Sequence, residues 1–187
     1  MRCGLLLPLA LGLILAASTG FAAQKRLNLE SIQVEDGDTL ILTIGERAER
    51  VQLAYIDAPE DSDNAKLQHD IKRTSLDKEI LIELGRAATS HLRSLAADGT
   101  GPFVLIYDPD RRDRYGRLMG EVSGADGRSL GTAMIEDGFA RLLPARPPAE
   151  SGPTALTELE ANAISSNRGL WGTHRKAALA WKGRTPK

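Results

Sequence analysis

The chain has 187 residues, with 24 Lys and Arg side chains against 25 Asp and Glu, a formal net charge of −1. This length suits one domain with a hydrophobic core, and the balanced charge excludes the strongly basic class of protein that holds nucleic acid tightly. The single cysteine, Cys3, excludes a framework of disulfide bonds.

Residues 1–23 predict a secretory signal peptide, removed by cleavage after Ala22 or Ala23. Arg2 gives a positive start, the residues after it are uncharged and mostly apolar, and small residues precede the cleavage point. An uncleaved membrane anchor is the alternative, because the run is nearly long enough to span a bilayer. Cleavage leaves 23 basic against 25 acidic side chains, a net charge of −2. We expect a mature protein that is secreted or periplasmic, without stable membrane association.

Residues 27–56 predict three strands, because apolar and polar side chains alternate in three successive runs. Asp36-Gly37 and Gly45-Glu46 separate the runs and are typical turn pairs. The alternating apolar positions are Ile32, Val34, Leu40, Leu42, Ile44, Val51, Leu53 and Tyr55.

Residues 60–73 are polar and predict a long surface loop. A helix follows, since apolar residues recur every three or four positions between Leu76 and Leu95, with Thr74 or Ser75 as its cap. Gly85 interrupts this pattern, and it either weakens the helix prediction there or allows another backbone to approach closely.

The remainder of the mature chain predicts two more strands, at 103–107 and 118–122, on either side of a charged loop at 108–114. A short helix at 130–137, a proline-rich loop at 144–153 and a helix at 154–166 follow. We therefore expect residues 24–172 to form an α+β domain that is mainly a β barrel. Five strands with three helices suit the five-stranded OB-fold. Residues 173–187 read as a basic, flexible tail.

Acidic residues stand in two short motifs, Asp-Gly-Asp-Thr at 36–39 and Ile-Asp-Ala-Pro-Glu at 56–60. If the strands that carry them are neighbours, Asp38, Asp57 and Glu60 converge. Carboxylates that close repel one another unless a cation lies between them. Oxygen ligands suit a hard ion, Ca²⁺ or Mg²⁺, better than zinc.

A basic motif, Asp-Arg-Tyr-Gly-Arg at 113–117, adds guanidinium groups. A hard cation beside an arginine is suited to hydrolysing a phosphodiester. Each residue also has a simpler interpretation. Asp38 could cap the strand end at Thr39 by bonding to the backbone, and Asp57 could be an ordinary turn residue. Arg117 could be the partner of Asp113 in a surface loop. The order and spacing of all three motifs favour the functional reading.

Together these residues resemble the staphylococcal (thermonuclease-like) nuclease family. The motifs that carry the likeness lie at 34–40, 51–60, 113–117, 126–130, 138–140 and 168–171, so it covers most of the chain from 27 to 172. The resemblance implies an OB-fold barrel with three helices, Ca²⁺ as cofactor, and hydrolysis of DNA and RNA. An exported, calcium-dependent endonuclease that is a monomer is the leading hypothesis.

The resemblance also implies roles for individual residues. Asp38 and Asp57 match the calcium carboxylates, and Ala58 matches a ligand that uses its backbone carbonyl. Glu60 matches the glutamate that handles the attacking water. Two residues of the basic motif match an active-site arginine and a tyrosine near the phosphate; they are Arg117 and Tyr115.

Gln52 stands where the family has its first active-site arginine, and it cannot make a charged bidentate contact with phosphate. Arg50, on the same face of the strand, or Arg114 could reach the phosphate instead. Two tyrosines that often line the family's nucleotide pocket are replaced, with Pro144 and Arg146 near their places.

These departures keep two alternatives open. One is a catalytically weak or inactive OB-fold domain that binds nucleic acid or a protein partner. The other is an envelope protein in which a calcium ion is purely structural. The retained carboxylates Asp38, Asp57 and Glu60 favour the enzyme.

Overall fold

The computed structural model describes residues 24–98, 102–143 and 153–183. Within them the chain forms eight strands and six helices. The strands are β1 (Lys25–Leu29), β2 (Gln33–Val34), β3 (Thr39–Ile44), β4 (Arg47–Leu53), β5 (Ile56–Asp57), β6 (Phe103–Arg112), β7 (Leu118–Ser123) and β8 (Arg141–Leu142). The helices are α1 (Ala65–Thr74), α2 (Lys78–Asp98), α3 (Leu130–Glu136), α4 (Pro153–Ser165), α5 (Leu170–Thr173) and α6 (Arg175–Lys182). The α+β class is confirmed; the described elements outnumber the expected five strands and three helices.

Six strands form one mixed sheet in the order β1-β6-β7-β4-β3-β2, and β5 pairs with β8 separately. The β4–β7 pair is parallel, and the other pairs are antiparallel. The parallel pairing sets Gln52 beside Met119, so the strand that leads into the second acidic motif lies next to the strand that follows the basic motif. Topology therefore brings motifs distant in sequence to one place.

Alternating side chains make one face of the sheet apolar. On β7, Leu118 and Val122 are buried while Met119 and Glu121 between them are partly exposed, as period-two patterning requires. This face packs against α2 and α3 in a first core. A second core lies among the helices and holds Leu67, Leu81, Leu84, Ala163, Leu170, Trp171, Ala178 and Trp181.

Three segments differ from the sequence prediction. Strand β6 continues through Arg112 into the loop expected at 108–114. Most of the loop expected at 60–73 is α1, which begins because the Asn64 side chain accepts the N–H of Leu67 and ends where Ser75 adopts a left-handed conformation. The expected flexible tail contains α6. Its Trp181 is fully buried, and the Trp181 Nε1 atom donates to Asp70 at 3.1 Å. This packing holds α6 against the domain, whereas the basic composition of the segment predicts a flexible tail.

Several expectations fall outside the described residues: the signal peptide at 1–23 and the loop positions 144 and 146 among them. In the part of the chain that is described, no helix has both the length and the apolar character needed to cross a membrane.

Candidate active site

The two acidic motifs are in direct contact. Asp38 follows the β2–β3 turn and Asp57 ends β5, and the Asp38 Oδ2 atom accepts the backbone N–H of Ala58 at 2.9 Å. The backbone carbonyl of Asp38 also accepts the N–H of Leu53 at 2.8 Å, at the end of β4. The three carboxylates Asp38, Asp57 and Glu60 are all buried. Their predicted proximity therefore follows from the pairing of neighbouring backbone segments.

Helix α2 supports both motifs from behind because small residues allow close approach. A Cβ atom added to Gly37 would lie 2.8 Å from that of Ala58 and 2.9 Å from that of Ala88 on α2. One added to Gly85 would lie only 2.1 Å from the carbonyl oxygen of Glu60. The close backbone approach predicted at Gly85 is therefore present, and its partner is the segment that carries the proposed water-handling glutamate.

A lysine that the motif analysis did not include lies at the centre of the acidic site. The Lys66 ammonium, in the first turn of α1, is 2.8 Å from Asp57 Oδ1 and 2.5 Å from Glu60 Oε1. It also donates to the backbone carbonyl of Ala58 at 2.8 Å. Its three acceptors are therefore two of the expected metal ligands and the expected water-handling carboxylate.

Arg141 provides the second cation that pairs with Asp57. The β5–β8 register sets the two residues opposite one another, and the guanidinium reaches Asp57 Oδ2 with Nε at 2.7 Å and Nη2 at 2.6 Å. Burial alone would raise the pKa of Asp57, but Lys66 and Arg141 outweigh it and hold that pKa below its ordinary value. Asp57 is therefore ionised and charge-compensated by protein groups.

Arg117 is held at the other side of the site by a tight turn between β6 and β7. Asp113 accepts the Arg117 backbone N–H at 3.0 Å and its Nε at 2.7 Å, and Gly116 in the turn has a φ of +79°. The Nη1 atom of Arg117 donates to Thr39 Oγ1 at 2.7 Å and lies 3.7 Å from Asp38 Oδ1. The ion pair with Asp113 thus orients the arginine toward the acidic motifs rather than leaving it on the surface.

Two further residues predicted for the site, Gln52 and Arg50, differ in how deeply they are buried. Gln52 is buried, donates from Nε2 to the carbonyls of Leu53 and Ile56 at 3.4 Å each, and leaves its Oε1 atom without a hydrogen-bond partner. Arg50 is half exposed and pairs with Glu35. Arg50 and Glu35 both line the same cavity as Arg117, so the substrate contact suggested for Arg50 stays a prediction.

Tyr115 and Arg114 lie at the mouth of the site. The Tyr115 side chain is 48% exposed, with the Arg114 guanidinium 4.8 Å and the Arg117 guanidinium 5.5 Å from its ring centroid. Such cation–aromatic stacking fixes the ring at the rim. The pair is available to a ligand that enters from solvent.

Two cavities meet at Lys66, Tyr115 and Arg117. One, of about 330 Å³, is lined on the acidic side by Glu35, Asp36 and Glu60 among others. The other, of about 850 Å³, is lined by Gln52, Asp57, Arg73, Arg114, Arg141 and Lys182 among others. The larger cavity is rich in cations and suits an extended polyanion better than a small neutral ligand.

Asp36, beside the site, has a strongly raised pKa. Burial, and then the charge of Asp38, raise the pKa of Asp36 to about 7. The Asp36 Oδ1 atom accepts the N–H of Asp38 at 3.0 Å. Its interpretation as a turn residue therefore stands, although it also adds titratable negative charge beside the site.

Whether the site suits a divalent ion depends on its donor chemistry. The oxygen atoms of Asp57, Ala58 and Glu60 already surround a cation, the Lys66 ammonium, and hard divalent ions prefer such oxygen donors. In the described residues, no three Asp, Glu, His or Cys side chains are arranged to bind one metal ion. The donor types fit Ca²⁺, and in this structure the Lys66 ammonium lies among those donors.

Sequence reasoning did not identify Lys66 or Arg141. Lys66 lies in a stretch interpreted as loop, and only the Asn64 cap with Leu67 and Ile71 four residues apart signalled a helix there. Arg141 follows the short motif at 138–140 but carries no pattern of its own. Together, the side chains of the site can bind an anionic ligand between Arg117 and Arg141, with the Glu60 carboxylate close to that ligand.

Comparison with known proteins adds independent information. A model of the family described as "Staphylococcal nuclease homologue" matches residues 50–173. An Escherichia coli protein named "Uncharacterized endonuclease" is 30% identical over 140 residues, 75% of this chain and 74% of that protein. "Endonuclease YncB" of Bacillus subtilis is 27% identical over 120 residues, 64% of this chain and 49% of that protein. "SPbeta prophage-derived endonuclease YokF" of Bacillus subtilis is 30% identical over 108 residues, 57% of this chain and 31% of that protein.

Proposed function

Because this chain belongs to the staphylococcal nuclease family, we propose that it is an exported, calcium-dependent endonuclease that hydrolyses phosphodiester bonds in DNA and RNA. The family implies an OB-fold, and we propose that its core is the five-stranded barrel typical of that fold. The observation that carries the proposal is the meeting of Asp38, Asp57 and Glu60 with Arg117 at the junction of two cavities.

Asp38, Asp57 and the carbonyl of Ala58 would hold the Ca²⁺ ion. When bound, such an ion supplies positive charge to a phosphoryl oxygen and makes phosphorus easier to attack. The chain's own residues supply the remaining functions. Removal of the ion by a chelator is therefore expected to stop cleavage.

Glu60 is the proposed base that orients the attacking water and accepts its proton. Asn64 donates to Glu60 Oε2 and Lys66 to Oε1. These two donors fix the orientation of the carboxylate that is proposed to accept the proton. Asn64 also caps α1, so the start of this helix and the orientation of Glu60 are linked.

Arg117 is the proposed donor to the phosphate oxygens that gain negative charge as the bond breaks. Its guanidinium is already positioned by Asp113 and Thr39, so little reorganisation is needed when a phosphate arrives. Burial alone would raise the pKa of Asp113, but hydrogen bonds from Arg117 lower it, which keeps this anchor ionised. Tyr115 and Arg114 at the rim are proposed to contact the substrate beside the scissile phosphate.

The test uses the mature protein on single- and double-stranded DNA and on RNA, with Ca²⁺ and then with a chelator. Asp57→Ala is compared in parallel. We expect cleavage only by the wild type and only with Ca²⁺. Cleavage that survives chelation, or that is equal in the variant, would reject the proposed site.

A second candidate function is a catalytically weak domain that binds nucleic acid. It is favoured by one observation: Lys66 and Arg141 neutralise Asp57 without any metal ion. Retained DNA binding without cleavage at saturating Ca²⁺ would support this candidate instead.

A further inference from the structure

Lys66 occupies the position at which the acidic site presents its oxygen atoms to a cation. We propose that the Lys66 ammonium is an internal competitor of the divalent ion, so that the ion binds only when this ammonium swings out of the site. The inference rests on the proposed function, because it assumes that a divalent ion binds Asp57 and the carbonyl of Ala58, two of the three groups that Lys66 contacts. It assigns to Lys66 the role of setting the affinity for that ion.

The contacts of Lys66 are those of a bound cation rather than of a surface lysine. Its nitrogen lies 2.5 to 2.8 Å from one oxygen each of Asp57, Ala58 and Glu60. Oxygen ligands surround Ca²⁺ at about 2.3–2.6 Å, a similar distance. Asp57 and Ala58 are also proposed calcium ligands, so the ammonium and the ion cannot occupy the position between these two oxygen atoms at the same time.

Lys66 and a divalent ion would carry like charge at the same carboxylate. Asp57 already faces two protein cations, Lys66 at 2.8 Å and Arg141 at 2.6 Å. A divalent ion that binds Asp57 while both cations remain would lie close to two further positive charges, and this repulsion is unfavourable in a buried site of low dielectric constant. Departure of Lys66 removes one of them.

Lys66 is the cation best able to leave. Arg141 holds Asp57 through two guanidinium nitrogens and also donates to the carbonyl of Lys182 at 2.7 Å, and Arg117 is fixed by Asp113. Lys66 instead has a flexible stem of four carbons. It lines both the cavity of about 330 Å³ and the cavity of about 850 Å³, so either can receive the displaced ammonium without movement of α1.

The first experiment measures Ca²⁺ affinity by isothermal titration calorimetry for the wild type and for Lys66→Met, which keeps the apolar stem and removes the charge. We expect binding to be about 10- to 100-fold tighter in the variant, because no ion pair has to be broken first. Lys78→Met is the matched control, since Lys78 pairs with Asp63 at the surface. Its affinity should equal that of the wild type.

The second experiment needs no variant and so does not depend on how Lys66→Met folds. Lysine residues of the wild-type protein are labelled by reductive methylation with and without saturating Ca²⁺, and the sites are quantified by mass spectrometry. We expect labelling of Lys66 to rise several-fold with Ca²⁺, because an ammonium released to solvent becomes accessible. Labelling of Lys78 should not change.

The outcomes separate the inference from the function on which it rests. Tighter binding by Lys66→Met, or increased labelling of Lys66 with Ca²⁺, supports the competition. Equal affinity and unchanged labelling, in a wild type that does bind Ca²⁺ and loses it in Asp57→Ala, overturns the inference and leaves the proposed function standing. If wild type and Lys66→Met both show no heat of Ca²⁺ binding and cleavage persists in chelator, both are overturned.

Discussion

Gly85→Ala tests whether helix α2 positions the proposed base. The added carbon would lie 2.1 Å from the carbonyl oxygen of Glu60 and 2.5 Å from the nitrogen of Asp61. A tolerable carbon–oxygen contact is about 3.3 Å, so this backbone must move by roughly 1 Å. Both close contacts are with backbone atoms, which cannot rotate away as a side chain can.

Two measurable effects follow from that displacement. Overpacking of this kind destabilises a protein by about 1–3 kcal/mol. A shift of about 1 Å at a reacting group reduces the rate roughly 100-fold. We therefore expect kcat to fall by about two orders of magnitude in a protein that still folds, with KM changed much less, because Glu60 acts on the water and not on substrate binding.

The assay is cleavage of a fluorescent oligonucleotide with Ca²⁺, with thermal unfolding recorded on the same samples. Gly131→Ala is the matched control, because a Cβ atom there would have its nearest neighbours at 3.7 Å, an ordinary contact. If Gly85→Ala has the kcat of the wild type, the close approach of α2 does not position Glu60 and the reasoning is refuted.

Three further changes have defined expectations. Gln52→Arg should raise kcat, by up to about 100-fold, because it restores a preorganised donor beside Arg117; a lower kcat would mean that Gln52 positions another residue. Asp36→Asn should stabilise the protein in chelator at pH 8 by roughly a few kcal/mol and progressively less as the pH falls toward 4, measured by urea unfolding. The sign follows because folding raises the pKa of this carboxyl group from its ordinary value near 4 to about 7, so its ionisation lowers the stability of the wild type as the pH rises through that range. A gain in stability that is the same at pH 8 and pH 4 would contradict the assignment. Trp181→Ala should cost about 3–5 kcal/mol of unfolding free energy, because it empties a fully buried site, whereas Leu179→Ala on the same helix, 38% exposed, should cost less than about 1 kcal/mol; similar losses in both would show that α6 is not docked.

Local patterns predicted the elements whose stability depends on one repeating apolar face. The alternation in β7 and the three-to-four spacing in α2 each have enough buried positions to reveal the period. The same reasoning located the acidic turns, because Asp-Gly and Ala-Pro pairs restrict the backbone locally. Gly85 was informative because a glycine inside an otherwise regular helix implies a close neighbour.

What the sequence did not reveal depends on contacts between distant segments. Helix α1 is mostly polar and buries only Leu67 and Asp70, so few apolar residues mark its buried face. Trp181 on α6 is buried in the second core and donates a hydrogen bond to a residue more than a hundred positions away, Asp70. The position of Arg141 beside Asp57 follows from the β5–β8 register alone. Such pairings are determined by tertiary packing, for which a single sequence carries no local signal.

The central claim, that these carboxylates form a nuclease site, is tested most directly by Glu60→Gln. The change keeps the shape of the side chain and removes its ability to accept a proton. With saturating Ca²⁺ and DNA, we predict a cleavage rate about 10²- to 10⁴-fold below that of the wild type, while Asp61→Asn, the adjacent acidic residue, whose carboxylate accepts from Thr89, stays within a few-fold of it. Cleavage by Glu60→Gln at the wild-type rate would contradict the account.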